Sequence, residues 1–183
     1  MQALTTGGFF VYIGGSSFVL QNGLQISQAQ YATVFGVNAA AMMASSVVHR
    51  LFVMRTGPAP LRRIAMIVQT TSVVALVVVC LVTDRRPLLL PVWICLAGMT
   101  TGLGTYLPAN SALAQLAGRR YGGTASAIGG GIHFLVGAAF TPLTGLLGTD
   151  SVLVMGVAMA VMFLTAGAVA IVRRQDGPAT GAV

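Results

Sequence analysis

The sequence predicts an all-α protein, a polytopic bundle of about six transmembrane helices. Three observations lead to this fold class. Hydrophobic residues make up 56% of the chain, charged residues make up only 7%, and the mean hydropathy is +0.87. The 183 residues include neither Lys nor Glu. Because a soluble domain carries about 25% charged residues, we expect lipid to surround most of this chain.

The arginines lie at the edges of apolar stretches and not inside them. They stand at Arg50, Arg55, Arg62, Arg63, Arg85, Arg86, Arg119, Arg120, Arg173 and Arg174. An arginine at the centre of a spanning helix costs about 2.5–3.5 kcal/mol, whereas each Leu, Ile, Phe or Val contributes only about 0.3–0.6 kcal/mol in return. An adjacent pair would cancel about ten favourable residues, so the pairs predict the span boundaries.

Between these boundaries, five apolar stretches each reach the roughly 20 residues that cross the hydrocarbon core. They cover residues 2–21, 64–83, 88–116, 124–147 and 151–172. A sixth span is predicted over residues 28–49, which contain no Asp, Glu, Lys or Arg. Its small residues recur on one side, at Ala32, Gly36, Ala39 and Ala40, followed by Met43. Such a side favours a helix that packs tightly among other helices.

The distribution of arginines predicts the orientation. With six spans, the loop 50–63, the loop at 119–120 and the tail at 173–174 share one side with the N-terminus, and that side holds eight arginines against two. The positive-inside rule then places both termini in the cytoplasm of a multi-pass protein of the cell (inner) membrane. Residues 1–174 form the bundle and residues 175–183 a short cytoplasmic tail. If residues 28–49 did not span, only the N-terminus would change sides.

The sequence contains no pattern typical of a catalytic, metal or cofactor site. All three aspartates, Asp84, Asp150 and Asp176, lie outside the predicted spans, so no paired carboxylate is expected within the membrane. The arginines are scattered and do not form a patch, which argues against binding to nucleic acid. We therefore expect a protein that is not an enzyme and that has no cofactor.

His133 is the one residue in the interior of a predicted span that titrates near neutral pH, because His49 lies at the cytoplasmic end of the span 28–49. An ionisable group in a membrane span is a candidate functional residue. The alternative is a neutral histidine that is hydrogen-bonded to a neighbouring helix. The glycines directly before it, Gly129, Gly130 and Gly131, lack the Lys and the preceding strand of a phosphate-binding loop, and predict close helix packing.

The fourth span combines glycines, a proline and an amide. Gly98 and Gly102 have GxxxG spacing, Gly104 follows, and Pro108 removes a backbone donor just before Asn110. A flexible helix of this kind would suit the wall of a cavity that changes shape. Ordinary close packing explains the same residues, and both interpretations remain open at this point.

Several motifs together, in one register over about residues 9–172, resemble a known family. They are Tyr12–Gln21 with Gly23, Leu24 and Ser27; Phe35-Gly36-x-Asn38-Ala39; Arg55-x-Gly57 with Arg62-Arg63; Pro108-x-Asn110 to Ala114; and Gly123–Ala127. The ordered set resembles the C-terminal half of Bcr/CflA-type drug-resistance transporters of the major facilitator superfamily. Two departures stand out: Ser17 replaces the usual Pro, and no acidic residue precedes Arg55.

The resemblance implies the C-terminal six-helix half of a proton-coupled secondary active exporter, an antiporter for drugs or small amphipathic metabolites, as in multidrug resistance by efflux. It implies a cavity lined by Tyr12, Phe18, Gln21, Tyr106 and Asn110, with Asn38 and His133 as secondary candidates. It also implies a cytoplasmic signature loop that contains Arg55, Gly57, Arg62 and Arg63. The implied partners are the lipid bilayer, a small amphipathic solute, and either a missing N-terminal half or a second copy of the chain. The alternative is a non-transporting six-span protein, a gene fragment or interaction subunit, that is inactive alone.

Overall fold

The computed structural model describes residues 2–83, 88–117, 122–146 and 151–175. These residues form six α-helices and no strand, so the predicted all-α class is confirmed. The helices are α1 (Gln2–Phe18), α2 (Gln28–Thr56), α3 (Pro58–Val82), α4 (Leu89–Ala117), α5 (Gly122–Leu146) and α6 (Val152–Gln175). A π-helical turn, Val19–Gly23, extends α1.

Within the described ranges, five helical segments are long and apolar enough to cross a membrane. They are Gln2–Gly23, Gln28–Thr56, Pro58–Val82, Leu89–Leu116 and Val152–Ala170. In α5 the corresponding apolar segment is the shorter Gly129–Ala139. The chain is therefore a polytopic helical membrane bundle. The exact membrane boundaries stay predictions, and the predicted tail at 175–183 lies outside the described residues apart from Gln175.

A capping box determines where α2 begins. The Ser27 hydroxyl accepts a hydrogen bond from the backbone N–H of Gln30 at 3.2 Å, and the Gln30 side chain accepts one from the Ser27 N–H at 2.9 Å. Two backbone donors at the helix start are thereby satisfied by neighbouring side chains.

The loop predicted over residues 50–63 is wrong, because this region is helical on both sides of Gly57. Gly57 has a φ of +76° and donates its N–H to Val53 O at 2.9 Å, which ends α2. Pro58 then starts α3, because a proline in the first turn costs no helical hydrogen bond. The positive φ is one that glycine adopts readily. Of the predicted signature-loop residues, only Gly57 is therefore outside a helix.

The helix contacts show an internal symmetry. α1 packs against α5 and α6, α4 packs against α2 and α3, and α3 contacts α6. Exchanging α1, α2 and α3 for α4, α5 and α6 converts these five contacts into one another, whereas the smaller α2–α3 and α4–α5 contacts are outside the pattern. The Asn110 side chain near the end of α4 reaches Gln2 at the start of α1. Trp93 near the start of α4 is joined through Asn38 to Tyr12 farther along α1, so α1 and α4 run antiparallel. These contacts and the antiparallel pair match the arrangement expected of two interleaved and inverted three-helix repeats.

The apolar core lies between α1, α3, α4 and α6. Its most fully buried members include Leu20, Leu76, Leu96, Met99, Met159 and Phe163. α2 is less covered, since only Val34, Asn38, Ser45 and His49 are buried on it.

The predicted tight packing of the small side of α2 is wrong within this chain. Ala32, Gly36, Ala39, Ala40 and Met43 are all exposed, and a Cβ added at Gly36 would meet no described atom within 4 Å. The physical reason is that α2 packs mainly on α4, through its opposite side. The small residues therefore form an uncovered surface, which we call the α2 outer face.

Candidate functional site

A pocket of about 360 Å³ opens between α1, α4 and α5. Its lining residues are Gln2, Leu107, Ser111, Ala114, Gln115, Gly129, Gly130 and His133. They come from the start of α1, the last third of α4 and the first half of α5. The pocket therefore lies toward one end of the bundle, the cytoplasmic end in the predicted orientation. Its volume is within the range of small-molecule sites.

His133 is held in the pocket wall by α1. Its Nδ1 lies 2.8 Å from the Thr6 hydroxyl oxygen, and its ring meets the edges of Phe10 and Phe134 at centroid distances of 6.0 and 5.5 Å. Both interpretations from the sequence apply here. The histidine is hydrogen-bonded to a neighbouring helix, and it also faces a pocket.

Asn110 contacts the same pocket indirectly, through the lining residue Gln2. Its side-chain amide donates to Gln2 Oε1 at 2.8 Å, and Gln2 lines the pocket. The sequence interpretation missed Gln2, Ser111 and Gln115. The last two could have been found, because residues four apart lie on the same side of a helix.

The glycine run before His133 does not pack closely, so that prediction is wrong for the described residues. A Cβ added at Gly129, Gly130 or Gly131 would meet no described atom within 4 Å, and two of these glycines line the pocket. The tight contact of α5 is at Gly137 instead, where the Phe10 ring would be 2.5 Å from an added Cβ. The missing side chains at 129–131 leave open space.

Two further cavity candidates, Tyr12 and Asn38, are buried away from the pocket, with 2% and 1% of their surface exposed. Asn38 donates to the Tyr12 hydroxyl at 3.1 Å and accepts from Trp93 Nε1, also at 3.1 Å. The Tyr12 ring stacks on Phe35 at 6.1 Å. This network joins α1, α2 and α4, and its polar groups satisfy one another within the bundle.

The remaining candidates are also apart from the pocket. Tyr106 is fully buried beside Ala65 and Leu103. Phe18 is 57% exposed, and Gln21 donates to the Ser17 hydroxyl at 2.9 Å in the π-helical turn. The structure therefore brings only His133 and Asn110 to this pocket and distributes the other five candidates elsewhere.

The glycines of α4 are sites of close packing. At these positions the structure therefore favours close packing over the wall of a cavity that changes shape. A Cβ at Gly98 would collide with Ser72 of α3, and one at Gly102 would lie 2.9 Å from the Gln69 backbone nitrogen. Gly104 faces α2, where an added Cβ would collide with the Met42 carbonyl. Large side chains at these points would separate the helices.

Pro108 leaves the Gly104 carbonyl without its helical donor, and α2 supplies a replacement. In a regular helix the N–H of residue 108 would bond to the carbonyl of residue 104, but proline has no N–H. Ser46 of α2 donates its hydroxyl to Gly104 O at 2.7 Å. A buried carbonyl within the membrane is thereby satisfied by a neighbouring helix.

Within their described bounds, the three helices that form the pocket contain no Asp, Glu, Lys or Arg. The part of the chain that the structure describes also contains no cluster of three or more His, Cys, Asp or Glu able to hold a metal ion. The polar chemistry of the pocket therefore comes from amides, a hydroxyl and one imidazole.

Comparison with known proteins gives one relative to report. The chain is 31% identical over 160 residues to the "Uncharacterized MFS-type transporter YdgK" of Bacillus subtilis (strain 168). The match covers 87% of this chain and 38% of the relative's length. No family model matches the chain, and no solved structure matches it. The chain is similar to one part of a protein named as a transporter of the major facilitator superfamily (MFS), which supports a relation to MFS-type transporters.

Proposed function

We propose that this chain is the C-terminal six-helix half of a secondary active MFS exporter of small amphipathic solutes. The observation that carries the proposal is the inverted three-helix repeat, in which α1–α3 and α4–α6 exchange their contacts. Inverted repeats of three helices build each half of MFS transporters, and solute sites in such folds lie between repeats. The pocket lies between α1 of one repeat and α4 and α5 of the other.

The α2 outer face supports a twelve-helix assembly. Its members Ala32, Gly36, Ala39 and Ala40 are exposed to the surroundings of the isolated chain. Small residues allow close approach of another helix and gain little from facing lipid. In our proposal an N-terminal half or a second copy covers this face. Membership of the Bcr/CflA subgroup, location in the inner membrane and cytoplasmic termini are parts of the same proposal.

Proton coupling would depend on the covering half. The described helices contain no carboxylate, and the three aspartates of the chain lie outside the described residues. Exchange of a proton for a solute needs a group that binds and releases the proton within the membrane. Among its described helices this half offers two histidines for that purpose, His49 on α2 and His133 on α5, and no acidic side chain.

Transport by everted membrane vesicles tests the proposal. Two products would be compared: the chain expressed alone, and the chain joined to whatever is encoded directly upstream of Met1. Uptake would be measured for a panel of fluorescent amphipathic solutes that are anionic, neutral or cationic. We expect the joined product to accumulate at least one solute, with loss of accumulation on adding a protonophore. Gly167→Ala is the matched control, because a Cβ there meets no described atom within 4 Å.

Two results together would contradict the proposal. They are an upstream sequence without spans and a strictly monomeric chain in mild detergent. The second candidate function, a non-transporting interaction subunit, is favoured by the absence of carboxylates from the spans. It predicts that no solute in the panel changes the thermal stability of the purified chain.

A further inference from the structure

We propose that the pocket between α1, α4 and α5 binds the anionic group of an amphipathic solute, an organic carboxylate with an apolar body, and that His133 faces this group. The inference rests on the proposed function only in treating the pocket as part of a solute path. Binding to the purified chain tests it separately from transport.

His133 alone determines whether the three helices around the pocket are neutral or positively charged near neutral pH. Because α1, α4 and α5 contain no Asp, Glu, Lys or Arg, their charge is zero when His133 is neutral and positive when it is protonated. The other titratable groups on these helices are Tyr12, Cys95 and Tyr106, which ordinarily ionise above pH 8. Nothing in these walls neutralises a cation, and burying an unpaired charge is costly. A cationic solute is therefore disfavoured.

The His133 ring is oriented by its hydrogen bond to Thr6. Its Nδ1 is engaged with the Thr6 hydroxyl at 2.8 Å, which fixes the ring orientation and leaves Nε2 for a ligand. In the protonated ring both nitrogens donate, so Nδ1–H would donate to the Thr6 oxygen and Nε2–H to an anion. Hydrogen bonds between ionised groups are about twice as strong as neutral ones. Thr6 acts here as a positioning residue.

The remaining lining residues fit a solute that has a polar end and an apolar body. Gln2, Ser111 and Gln115 supply hydrogen-bond donors, whereas Leu107 and Ala114 supply apolar surface. The open space at the two lining glycines leaves room for the body of the solute. An anionic lipid headgroup has the same chemistry as an organic carboxylate, so the experiment must separate the two sources.

The test uses the full chain in phosphatidylcholine nanodiscs and three matched probes. These are 4-nitrobenzoate, 4-nitrobenzamide and 4-nitrobenzylammonium, measured by equilibrium dialysis against empty nanodiscs. We expect the carboxylate to bind at least about tenfold more tightly than the ammonium, since a hydrogen bond to a charged group contributes about 1.5–3 kcal/mol. Binding of the carboxylate should strengthen from about pH 8 to about pH 5, as the imidazole gains its proton.

Two variants locate the site. His133→Gln keeps a partner for Thr6 but cannot become charged, so we expect about a tenfold loss of carboxylate affinity and no remaining pH dependence. Gln115→Leu removes a donor from an exposed position and should weaken binding without unfolding the bundle. Gly167→Ala, on α6, should bind as the parent chain does. An unchanged emission of Trp93 in each variant shows that the fold is retained.

Each outcome supports or overturns the inference. Equal binding of carboxylate and ammonium, or full carboxylate affinity in His133→Gln, would overturn it. Displacement of the carboxylate by phosphatidylglycerol in the nanodisc would support the anion site and identify lipid as a ligand of it. Loss of transport with retained carboxylate binding would contradict only the proposed function. Transport without carboxylate binding to the chain would contradict only this inference.

Discussion

Replacing Ser46 with alanine should destabilise the bundle, because the Gly104 carbonyl would lose its hydrogen-bond donor. The Ser46 hydroxyl lies 2.7 Å from Gly104 O and 3.0 Å from Met42 O of its own helix. One proton serves one acceptor at a time, and Gly104 O is the closer acceptor and the one that Pro108 leaves unpaired. Hydrogen bonds between membrane helices average about 0.6 kcal/mol and reach about 1.7 kcal/mol. Because the variant also leaves a carbonyl unsatisfied, we expect a loss of about 1–2 kcal/mol.

A double-mutant cycle isolates this contribution. Pro108→Ala restores an N–H that can bond to the Gly104 carbonyl within α4. In that background Ser46→Ala should cost less than about 0.5 kcal/mol, because the carbonyl already has a donor. The free energy of unfolding would be measured by denaturant titration in detergent, with Thr71→Ala as control. The exposed Thr71 hydroxyl donates only to carbonyls of its own helix, at 2.8 and 3.0 Å. An equal cost of Ser46→Ala in both backgrounds would refute the reasoning.

Three further substitutions and one control substitution test other contacts. Gly104→Ala should destabilise by at least about 2 kcal/mol because its Cβ meets α2, whereas Gly167→Ala should change the free energy of unfolding by less than about 1 kcal/mol, both measured by the same titration. Asn38→Leu should cost about 1–3 kcal/mol and shift the emission of Trp93, the single tryptophan, so unchanged emission would count against the network. Ser27→Ala should cost about 1 kcal/mol and speed hydrogen exchange at the start of α2.

The number and order of helices could be predicted from the sequence because lipid restricts what a spanning segment can be. A helix satisfies its own backbone within the membrane, and charge marks its ends. The same rule does not determine where a helix ends outside the hydrocarbon core. The region 50–63 was therefore predicted as a loop, although Gly57 alone connects two helices, α2 and α3, that include the rest of this region.

The orientation of each helix about its own axis could not be predicted in the same way. In a soluble protein the polar side of a helix faces water, but here lipid and protein interior are both apolar. The small side of α2 and the glycines Gly129–Gly131 therefore gave no reliable sign of what they face. Close packing was predicted for both, and the structure leaves both uncovered. At Gly98 and Gly102 close packing was one of two open interpretations, and there the structure shows close contacts with α3.

The candidate site was only partly accessible to sequence reasoning. His133 was found because a titratable group within a span is rare, and Asn110 was found from the family resemblance. Gln2 becomes part of the site only because the start of α1 lies against α4, which is a tertiary contact. Tyr12 and Asn38 are polar residues of the kind a cavity would use, yet here they satisfy each other in the interior.

The central claim is that two three-helix repeats cross the membrane in opposite directions, and reporter fusions test it most directly. Alkaline phosphatase and green fluorescent protein would be fused at the N-terminus and within residues 24–27, at Gly57, and within residues 118–121. The inverted repeat places the α1–α2 and α4–α5 connections on opposite sides. We expect phosphatase activity only at 24–27 and fluorescence at the other three positions. Phosphatase activity at both 24–27 and 118–121, or at the N-terminus, would contradict the account.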